Sequence, residues 1–175
     1  MNFSGILFFV SRAAGFALAA CALYALLARA RGRWPSAGRL LFAFYFAALI
    51  QITVLRGGVD WARVLCDSRQ SAQWTPLKTT LAAYASGAWP FLYHLGGNLA
   101  WFAPLGLLLR RKAVWRALIA GAILSLSIEA LQWLFMTGVA DVDDVIINAL
   151  GALLGRLLAG LFPARVSRRQ DASEG

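Results

Sequence analysis

Residues 141–162 read DVDDVIINALGALLGRLLAGLF, and this stretch decides the fold. It begins with three carboxylates in four positions, those of Asp141, Asp143 and Asp144. The apolar run that follows is long enough, as a helix, to enter a lipid bilayer. Charged side chains at membrane depth are costly, and they usually face the interior of a helix bundle or a water-filled cavity. The stretch therefore predicts a membrane helix with a polar centre at one end.

One helical stripe joins the acidic end of this helix to its apolar half. Asp144, Asn148, Gly151 and Gly155 are spaced by three or four residues, as neighbours on one helix face are. Gly151 and Gly155 form a small-xxx-small pattern, which allows a second helix to approach closely. Because polar and small residues share the stripe, we expect the carboxylates to point toward neighbouring helices rather than toward lipid.

The composition is typical of a membrane protein. The chain has 175 residues, of which 60% are hydrophobic and 14% are charged. A soluble domain has about 45–50% apolar and about 25% charged residues. Backbone polar groups in lipid must be satisfied within the chain, so long apolar runs form helices by default. We predict an all-α fold, a polytopic transmembrane helix bundle that forms a single domain over residues 1–175.

Apolar runs mark about five transmembrane helices, at residues 6–27, 40–55, 89–109, 114–136 and 145–162. The one long connection, residues 56–88, is mixed in composition and is expected to hold a short interfacial helix near residues 60–65 or an ordered loop. Leu18-Ala-Ala-Cys21 resembles the cleavage motif of a lipoprotein signal peptide. The chain stays apolar after Cys21, however, and this favours an uncleaved helix.

The net charge of +9 comes from 17 Lys and Arg against 8 Asp and Glu. The basic residues form short clusters between apolar runs, which favours topology signals and contacts with membrane lipids over binding of nucleic acid. They concentrate in the loops at 29–39 and 110–116 and in a polar tail at 165–175. The positive-inside rule then predicts a cell-membrane protein with its N-terminus outside and its C-terminus in the cytoplasm. In that orientation the acidic turn at 137–144 faces outward.

Polar residues from distant parts of the chain reach the depth of the acidic turn. In the third run a spacing of four places His94 and Asn98 on one helix face, and in the fourth a spacing of three does so for Glu129 and Gln132, while Arg56 closes the second run. The candidate polar site therefore consists of Glu129, Gln132, Asp141, Asp143, Asp144, Asn148, Asn98, His94 and Arg56. Crowded carboxylates repel one another unless a cation or an Arg compensates them. A divalent cation at Asp141, Asp144 and Glu129 is one candidate ligand, since Ca²⁺ and Mg²⁺ prefer hard oxygen donors.

Each of these residues also has a purely structural interpretation. The aspartates suit a helix cap and the positive end of a helix dipole. Asn98 and Gln132 suit hydrogen bonds between helices. In the third run Pro104 and the Gly96-Gly97 pair are expected to interrupt, kink or pack the helix. Glu129 is the hardest residue to explain structurally, because Gln would make the same hydrogen bonds without the cost of a charge.

Three motifs, in order, resemble the VanZ-like family of small bacterial integral membrane proteins. They read NLAWFAPLG at 98–106, SIEALQ at 127–132 and DVDDVIINALG at 141–151, inside a match that spans about residues 55–156. We assign helix packing to the small or rigid residues of these motifs and of the stripe, Gly151, Gly155, Pro104 and Gly106. The family's name implies a link to glycopeptide resistance of the teicoplanin type, and it supplies no biochemical mechanism. The chain departs from the family pattern at Trp74-Thr-Pro-Leu77 and at Gly138-Val139.

The residues leave four kinds of function open. The first is an outward-facing protein of the cell envelope whose acidic site binds a cation, a headgroup, a cell-wall precursor or a glycopeptide-related ligand. The second is a membrane-embedded enzyme that acts on a lipid-linked envelope substrate, with Glu129 or Asp144 as general base and Arg56 as an anion clamp. No recognised catalytic signature supports it. A transporter would need an oligomer, since no inverted repeat is visible, and the fourth is a structural membrane scaffold.

Overall fold

The computed structural model describes residues 3–55, 58–66 and 71–161, with side chains described from residue 11 onward. Arg56 and the 165–175 tail therefore lie outside the described residues. The described part contains seven helices and no named strand, which confirms the all-α prediction. The helices are α1 (Phe3–Ala30), α2 (Ala37–Thr53), α3 (Trp61–Leu65), α4 (Lys78–Ala85), α5 (Ala88–Leu108), α6 (Val114–Phe135) and α7 (Val142–Leu161).

The helix bundle contains fewer clear membrane spans than the five predicted. Three described segments are long and apolar enough to cross a membrane, namely Ser11–Ala30, Val114–Phe135 and Val142–Leu161. The apolar helix α2 is shorter, with 17 residues. Helix α5 has 21 residues, but its glycines and its polar residues His94 and Asn98 dilute its apolar character. Three to four spans is therefore the better count.

Helix α5 runs without a break through the positions that we expected to interrupt it. Pro104 lies inside the helix, and an added methyl group at Gly96 or Gly97 would find no atom within 4 Å. These two glycines therefore pack against nothing in the described part of the chain. Pro104 instead lines an apolar groove between α2, α5 and α7.

Helix α7 lies at the centre of the bundle, packed most extensively against α5 and next against α6. Its glycines bring two backbones into contact. A methyl group added at Gly151 would lie 2.7 Å from the carbonyl oxygen of Leu99, and one at Gly155 would overlap the carbonyl of Ala103. Gly106 of α5 makes the same kind of close contact from the other helix, because a methyl group there would overlap the carbonyl of Ala152. Only glycine permits this approach.

A third glycine contact joins α6 to α7 and was not anticipated from the sequence. A methyl group at Gly121 would lie 2.7 Å from Cβ of Ala152 and 3.0 Å from Cα of Ala149. Ala152 is therefore enclosed from both sides, and it is fully buried. It belongs to the buried core, together with Leu49, Val54, Phe102, Leu105 and Ile128.

The long connection between α2 and α5 holds two short helices. Helix α3 confirms a short helix, rather than an ordered loop, near residues 60–65, and Asp60 caps it by accepting a hydrogen bond from the N–H of Arg63 at 3.3 Å. Its Trp61 ring meets the edge of Phe135 with centroids 6.2 Å apart. Helix α4 was not predicted. It begins after Leu77, whose φ of 64° is left-handed, so its start depends on contacts from elsewhere in the chain.

Candidate polar cavity at the acidic end of the bundle

Six of the nine predicted site residues line one polar cavity of about 320 Å³ between α2, α5, α6 and α7. The cavity lies at the end of the bundle that carries the Asp141–Asp144 turn, which we call the acidic end. The six are His94, Asn98, Glu129, Gln132, Asp144 and Asn148. The structure thus brings together side chains that are up to 54 positions apart in the chain, from His94 to Asn148.

The wall formed by α5 and α7 is held by Asp144. Asn98 Nδ2 donates a hydrogen bond to Asp144 Oδ1 at 2.7 Å. His94 Nδ1 lies 3.7 Å from the same oxygen, which makes an ion pair when the imidazole is protonated. The spacing of four between His94 and Asn98 aims both side chains at this carboxylate, and the Asp144 side chain keeps 30% of its surface exposed.

The opposite wall, on α6, is formed by Glu129 and Gln132. Glu129 is only 4% exposed, and its Oε2 accepts a hydrogen bond from the backbone N–H of Asp141 at 2.8 Å. Gln132 Nε2 donates to the backbone carbonyl of Thr53 at 3.1 Å, which ties α6 to the end of α2. Glu129 thus holds the α6–α7 turn and lines the cavity at once.

Asn148 closes the floor between the two walls. Its Nδ2 donates to Ser125 Oγ at 2.8 Å, and Ser125 is fully buried. The Asn148 side chain is 4% exposed, and its Oδ1 has no hydrogen-bond partner among the described residues. A buried polar atom without a partner is unusual and carries a desolvation cost. Asn148 therefore carries an acceptor that the described part of the protein does not satisfy, in an atom with almost no accessible surface.

Asp143 lies away from this cavity and caps the distant helix α4. One carboxylate oxygen accepts from the backbone N–H of Leu77, and the other accepts from the N–H of Thr80 at 2.8 Å and from its hydroxyl at 2.9 Å. Asp143 is 1% exposed. It satisfies the first amides of α4 as a side-chain cap does, although it comes from another part of the chain. Asp143 therefore has a structural role, as the cap of α4.

Asp141 occupies the position just before α7 and caps that helix. Its Oδ1 accepts from the backbone N–H of Asp143 at 2.9 Å, and its Oδ2 accepts from the hydroxyl of Thr79. Two backbone bonds add to this junction: Gln73 N–H donates to the carbonyl of Ala140 at 2.7 Å, and Val142 N–H donates to the carbonyl of Gln73 at 3.0 Å. The long connection between α2 and α5 is thus fastened to the acidic turn.

The expected carboxylate cluster is therefore divided among three tasks. Asp141 caps α7, Asp143 caps α4, and Asp144 lines the cavity. Helix α7 starts at Val142 rather than near residue 145, because Asp141 supplies its cap and draws the next two aspartates into the first turn.

The divalent-cation hypothesis finds no support in this arrangement. Within residues 3–55, 58–66 and 71–161, no group of three or more His, Cys, Asp or Glu side chains is arranged to hold a metal ion. The physical reason is that Asp141 uses both carboxylate oxygens on the amide of Asp143 and the hydroxyl of Thr79, which leaves only Glu129 and Asp144 of the three expected ligands at the polar cavity.

A carboxylate, an imidazole and a hydroxyl also follow one another at this end of the bundle. His94 Nε2 lies 3.3 Å from Thr80 Oγ1, and its Nδ1 faces Asp144. The order resembles an activated nucleophile. The Thr80 hydroxyl, however, donates to Asp143 at 2.9 Å. A hydroxyl has one proton to donate, so His94 does not receive it, and this chain of groups is a positioning network.

A second, apolar cavity of about 660 Å³ lies behind Glu129. It is a half-open space between the long connection, α6 and the start of α7, and its lining includes Trp74 and Trp133 together with Leu126, Ala130 and Val145. Glu129 lines both this cavity and the polar one. Its carboxyl group therefore stands at the boundary between an apolar space and a polar space.

The sequence reasoning missed the threonines that bind the carboxylates. Thr79 and Thr80 lie in the first turn of α4, in a stretch of mixed sequence without a periodic pattern, and their partners Asp141 and Asp143 are more than 60 positions away. The available signal was the departure from the family pattern at Trp74-Thr-Pro-Leu77, which marks the start of α4. Arg56, the remaining predicted site residue, lies outside the described residues.

Comparison with known proteins agrees with this architecture. The family model described as VanZ/LLP1 matches residues 42–163, well over half of the chain. Protein VanZ of Enterococcus faecium is 26% identical over 136 residues, which cover 75% of this chain and 79% of that protein. No solved structure matches significantly. With its apolar helices and this family match, the chain is a membrane protein that belongs to the VanZ-like family.

Proposed function

We propose that this protein binds an amphiphilic ligand of the cell envelope at the acidic end of its bundle. One observation carries the proposal: Glu129 lines both the polar cavity and the apolar cavity. Ligand sites are typically concave and apolar, with a few polar groups that fix orientation. The apolar cavity, with Trp74 and Trp133, suits a hydrocarbon portion, and the polar cavity suits a headgroup or the polar portion of a cell-wall precursor.

We further propose that the acidic end faces the outside of the cell membrane. The support is the distribution of basic residues, which crowd the opposite end of the bundle and the tail. The N-terminus then lies outside and the C-terminus lies in the cytoplasm. A reporter active only in the cytoplasm should give signal when fused after Arg169 and none when inserted within residues 71–78. The reverse pattern would place the cavity on the cytoplasmic side and would end the proposal of an outward-facing site.

The biological role that we propose is reduced susceptibility to glycopeptides of the teicoplanin type. The resemblance to the VanZ-like family and the similarity to Protein VanZ support it. A protein that holds an envelope ligand at the outer leaflet changes what an envelope-targeting antibiotic meets there, without a chemical step.

The test is Glu129→Gln in a deletion strain challenged with antibiotics that target the envelope. Gln keeps an oxygen to accept the Asp141 N–H and removes only the charge, so the variant should reach parental expression. We expect susceptibility equal to that of the deletion strain. Ser127→Ala is the matched control, because Ser127 lies on the same helix, is exposed and bonds only to the carbonyl of Ile123 at 2.8 Å among its described contacts.

A fully functional Glu129→Gln protein at parental expression would contradict the proposal. The chain would then be better described as a structural scaffold, with Glu129 acting through its hydrogen bond to the α6–α7 turn. Loss of function in both Glu129→Gln and Ser127→Ala would point to general fragility of α6 and would equally contradict a site at Glu129.

A further inference from the structure

The hydrogen bonds of the polar cavity leave an excess of acceptors. Three side-chain amides line the cavity, and each donates one hydrogen bond to another group of the protein. Asn98 donates to Asp144, Gln132 to the carbonyl of Thr53, and Asn148 to Ser125. The Oδ1 atom of Asn148 has no partner among the described residues. The bonds of the described residues engage one oxygen each of Glu129 and Asp144. A carboxylate offers about four lone-pair positions on two oxygens, so capacity to accept remains on both.

The charge of the cavity points in the same direction. The side chains that line it include the carboxylates of Glu129 and Asp144 and the imidazole of His94, with no Lys or Arg among the described lining residues. Two ionised carboxylates that face one cavity repel each other, and either a cation between them or protonation of one of them relieves the repulsion. A cationic ligand is the kind of ligand that relieves it while both groups stay ionised.

We propose that the polar cavity receives a primary ammonium group carried by the ligand. This inference rests on the proposed function and specifies its ligand class. An ammonium group offers three N–H donors and one positive charge, which suits the spare acceptor positions of two carboxylates. Hydrogen bonds with charge on both partners are shorter and stronger than neutral ones. A quaternary ammonium carries the charge but lacks the N–H donors, so it fits the cavity poorly.

The binding test compares headgroups on identical acyl chains. Full-length protein in detergent is titrated with dioleoyl phosphatidylethanolamine and with dioleoyl phosphatidylcholine, and bound lipid is counted by native mass spectrometry. We expect the primary amine to bind at least about tenfold more tightly, the value of one charge-assisted hydrogen bond. Equal binding of the two lipids would overturn the proposal, and so would tighter binding of dioleoyl phosphatidylglycerol, which has no amine, in a third titration.

Soluble probes separate a lipid source of the amine from a soluble source. Ethanolamine should compete with bound phosphatidylethanolamine, whereas choline at the same concentration should not. Binding of ethanolamine without any gain from the lipid chains would support a water-soluble amine as the ligand. Competition by choline as strong as that by ethanolamine would show that charge alone is recognised, and it would overturn a site built for N–H donors.

Variants locate the bound amine. Glu129→Gln and Asp144→Asn should each weaken phosphatidylethanolamine about tenfold or more, and Ser127→Ala should leave it unchanged. Gln132→Lys places an ammonium inside the cavity, where it can also donate to the Thr53 carbonyl. It should lose the preference for phosphatidylethanolamine and melt at a higher temperature than Gln132→Leu. A Lys variant that melts below the Leu variant would contradict an ammonium-binding cavity.

The outcomes distinguish this inference from the function on which it rests. If Glu129→Gln abolishes protection in cells while the cavity shows no preference for a primary amine, the ligand class is wrong and the site stands. If Glu129→Gln protects like the parent, both the proposed function and the proposed ligand class are wrong. Arg56 lies outside the described residues, three positions beyond Thr53. Amine binding that appears only in Arg56→Gln would mean that the chain supplies its own cation, and the proposal would be wrong.

Discussion

The two halves of α7 use one helix face in opposite ways. In the half around Gly151 and Gly155 the face is bare, and the α5 backbone lies directly against it. In the half around Asp144 and Asn148 the same face carries polar side chains, and these line a cavity between α2, α5, α6 and α7. The difference shows that one stripe of residues provides both a close contact and an open site.

The comparison also separates what is rigid from what is available for a ligand. Contact between backbones leaves no side chain to adjust, so packing in the glycine half is all or none. In the polar half, amides and carboxylates are held in place but retain capacity to accept further bonds. We expect substitutions in the glycine half to affect folding and substitutions in the cavity to affect function.

The largest effect should come from Gly155→Ala. The new methyl group would overlap the carbonyl of Ala103, and the helices would have to separate along their contact. We expect a loss of stability of at least about 3 kcal/mol, the upper end for overpacking. Gly160→Ala is the control, because its methyl group would meet nothing closer than the Arg156 guanidinium at 3.8 Å. Thermal melting in detergent measures both, and equal melting temperatures would refute the close contact.

A smaller loss should follow Asp143→Ala. The change removes the cap of α4 and leaves the amides of Leu77 and Thr80 without their acceptor, at a cost of about 2 kcal/mol. Hydrogen exchange should rise in residues 77–85 while the α5–α7 contact stays protected. Asp143→Asn, which keeps one acceptor oxygen, should lose less. Uniform loss of protection over all helices would mean that α4 does not unfold separately from the bundle.

Asp144→Asn should reduce function without reducing stability, and this combination distinguishes Asp144 from Asp143. We predict that Asp144→Asn impairs protection against envelope-targeting antibiotics, and Arg56→Ala tests the alternative that Arg56, rather than the ammonium group of a ligand, compensates the acidic site. Under that alternative both single variants lose protection and the double variant is no worse than the poorer of them, because overlapping losses are expected of groups that form one network. Additive losses in this double-mutant cycle would show that the two residues act independently.

The smallest effect should come from Thr137→Val in the α6–α7 turn. The hydroxyl oxygen of Thr137 is buried and has no hydrogen-bond partner among the described residues. Valine has nearly the same shape and removes that unpaired group, so stability should stay level or rise by up to about 1 kcal/mol. A fall in melting temperature of several degrees would show that an unseen partner, such as bound water, satisfies the hydroxyl.

Apolar runs and helical spacing were enough to predict most of the bundle. The four helices α2, α5, α6 and α7 fall within three residues of the predicted runs, because membrane helices leave a long continuous signal. The spacings of His94 with Asn98 and of Glu129 with Gln132 also predicted which side chains share a face, and the structure places all four in one cavity. Such local geometry follows from the rise and turn of a helix.

What the sequence did not reveal depends on contacts between distant segments. Helix α4 has only eight residues, too few to be stable alone, and it forms where Asp143 caps it from 63 positions away. The three aspartates look equivalent in sequence, and only their different neighbours assign one to each task. Likewise, the count of spans was too high because α2 is short and the glycines and polar residues of α5 lower its apolar character.

The backbone contact between α5 and α7 has a mechanical consequence for the cavity. With Gly106, Gly151 and Gly155 in place of larger residues, the two helices form a single rigid body, and Asn98 and Asp144 keep a fixed separation. Helix α2 is held more lightly, by the bond that Gln132 donates to the Thr53 carbonyl and by the bond that Tyr45 donates to the carbonyl of Trp101. A change in cavity width should therefore come from displacement of α2. A distance probe between α2 and α7 would report occupancy, whereas one between α5 and α7 would stay constant.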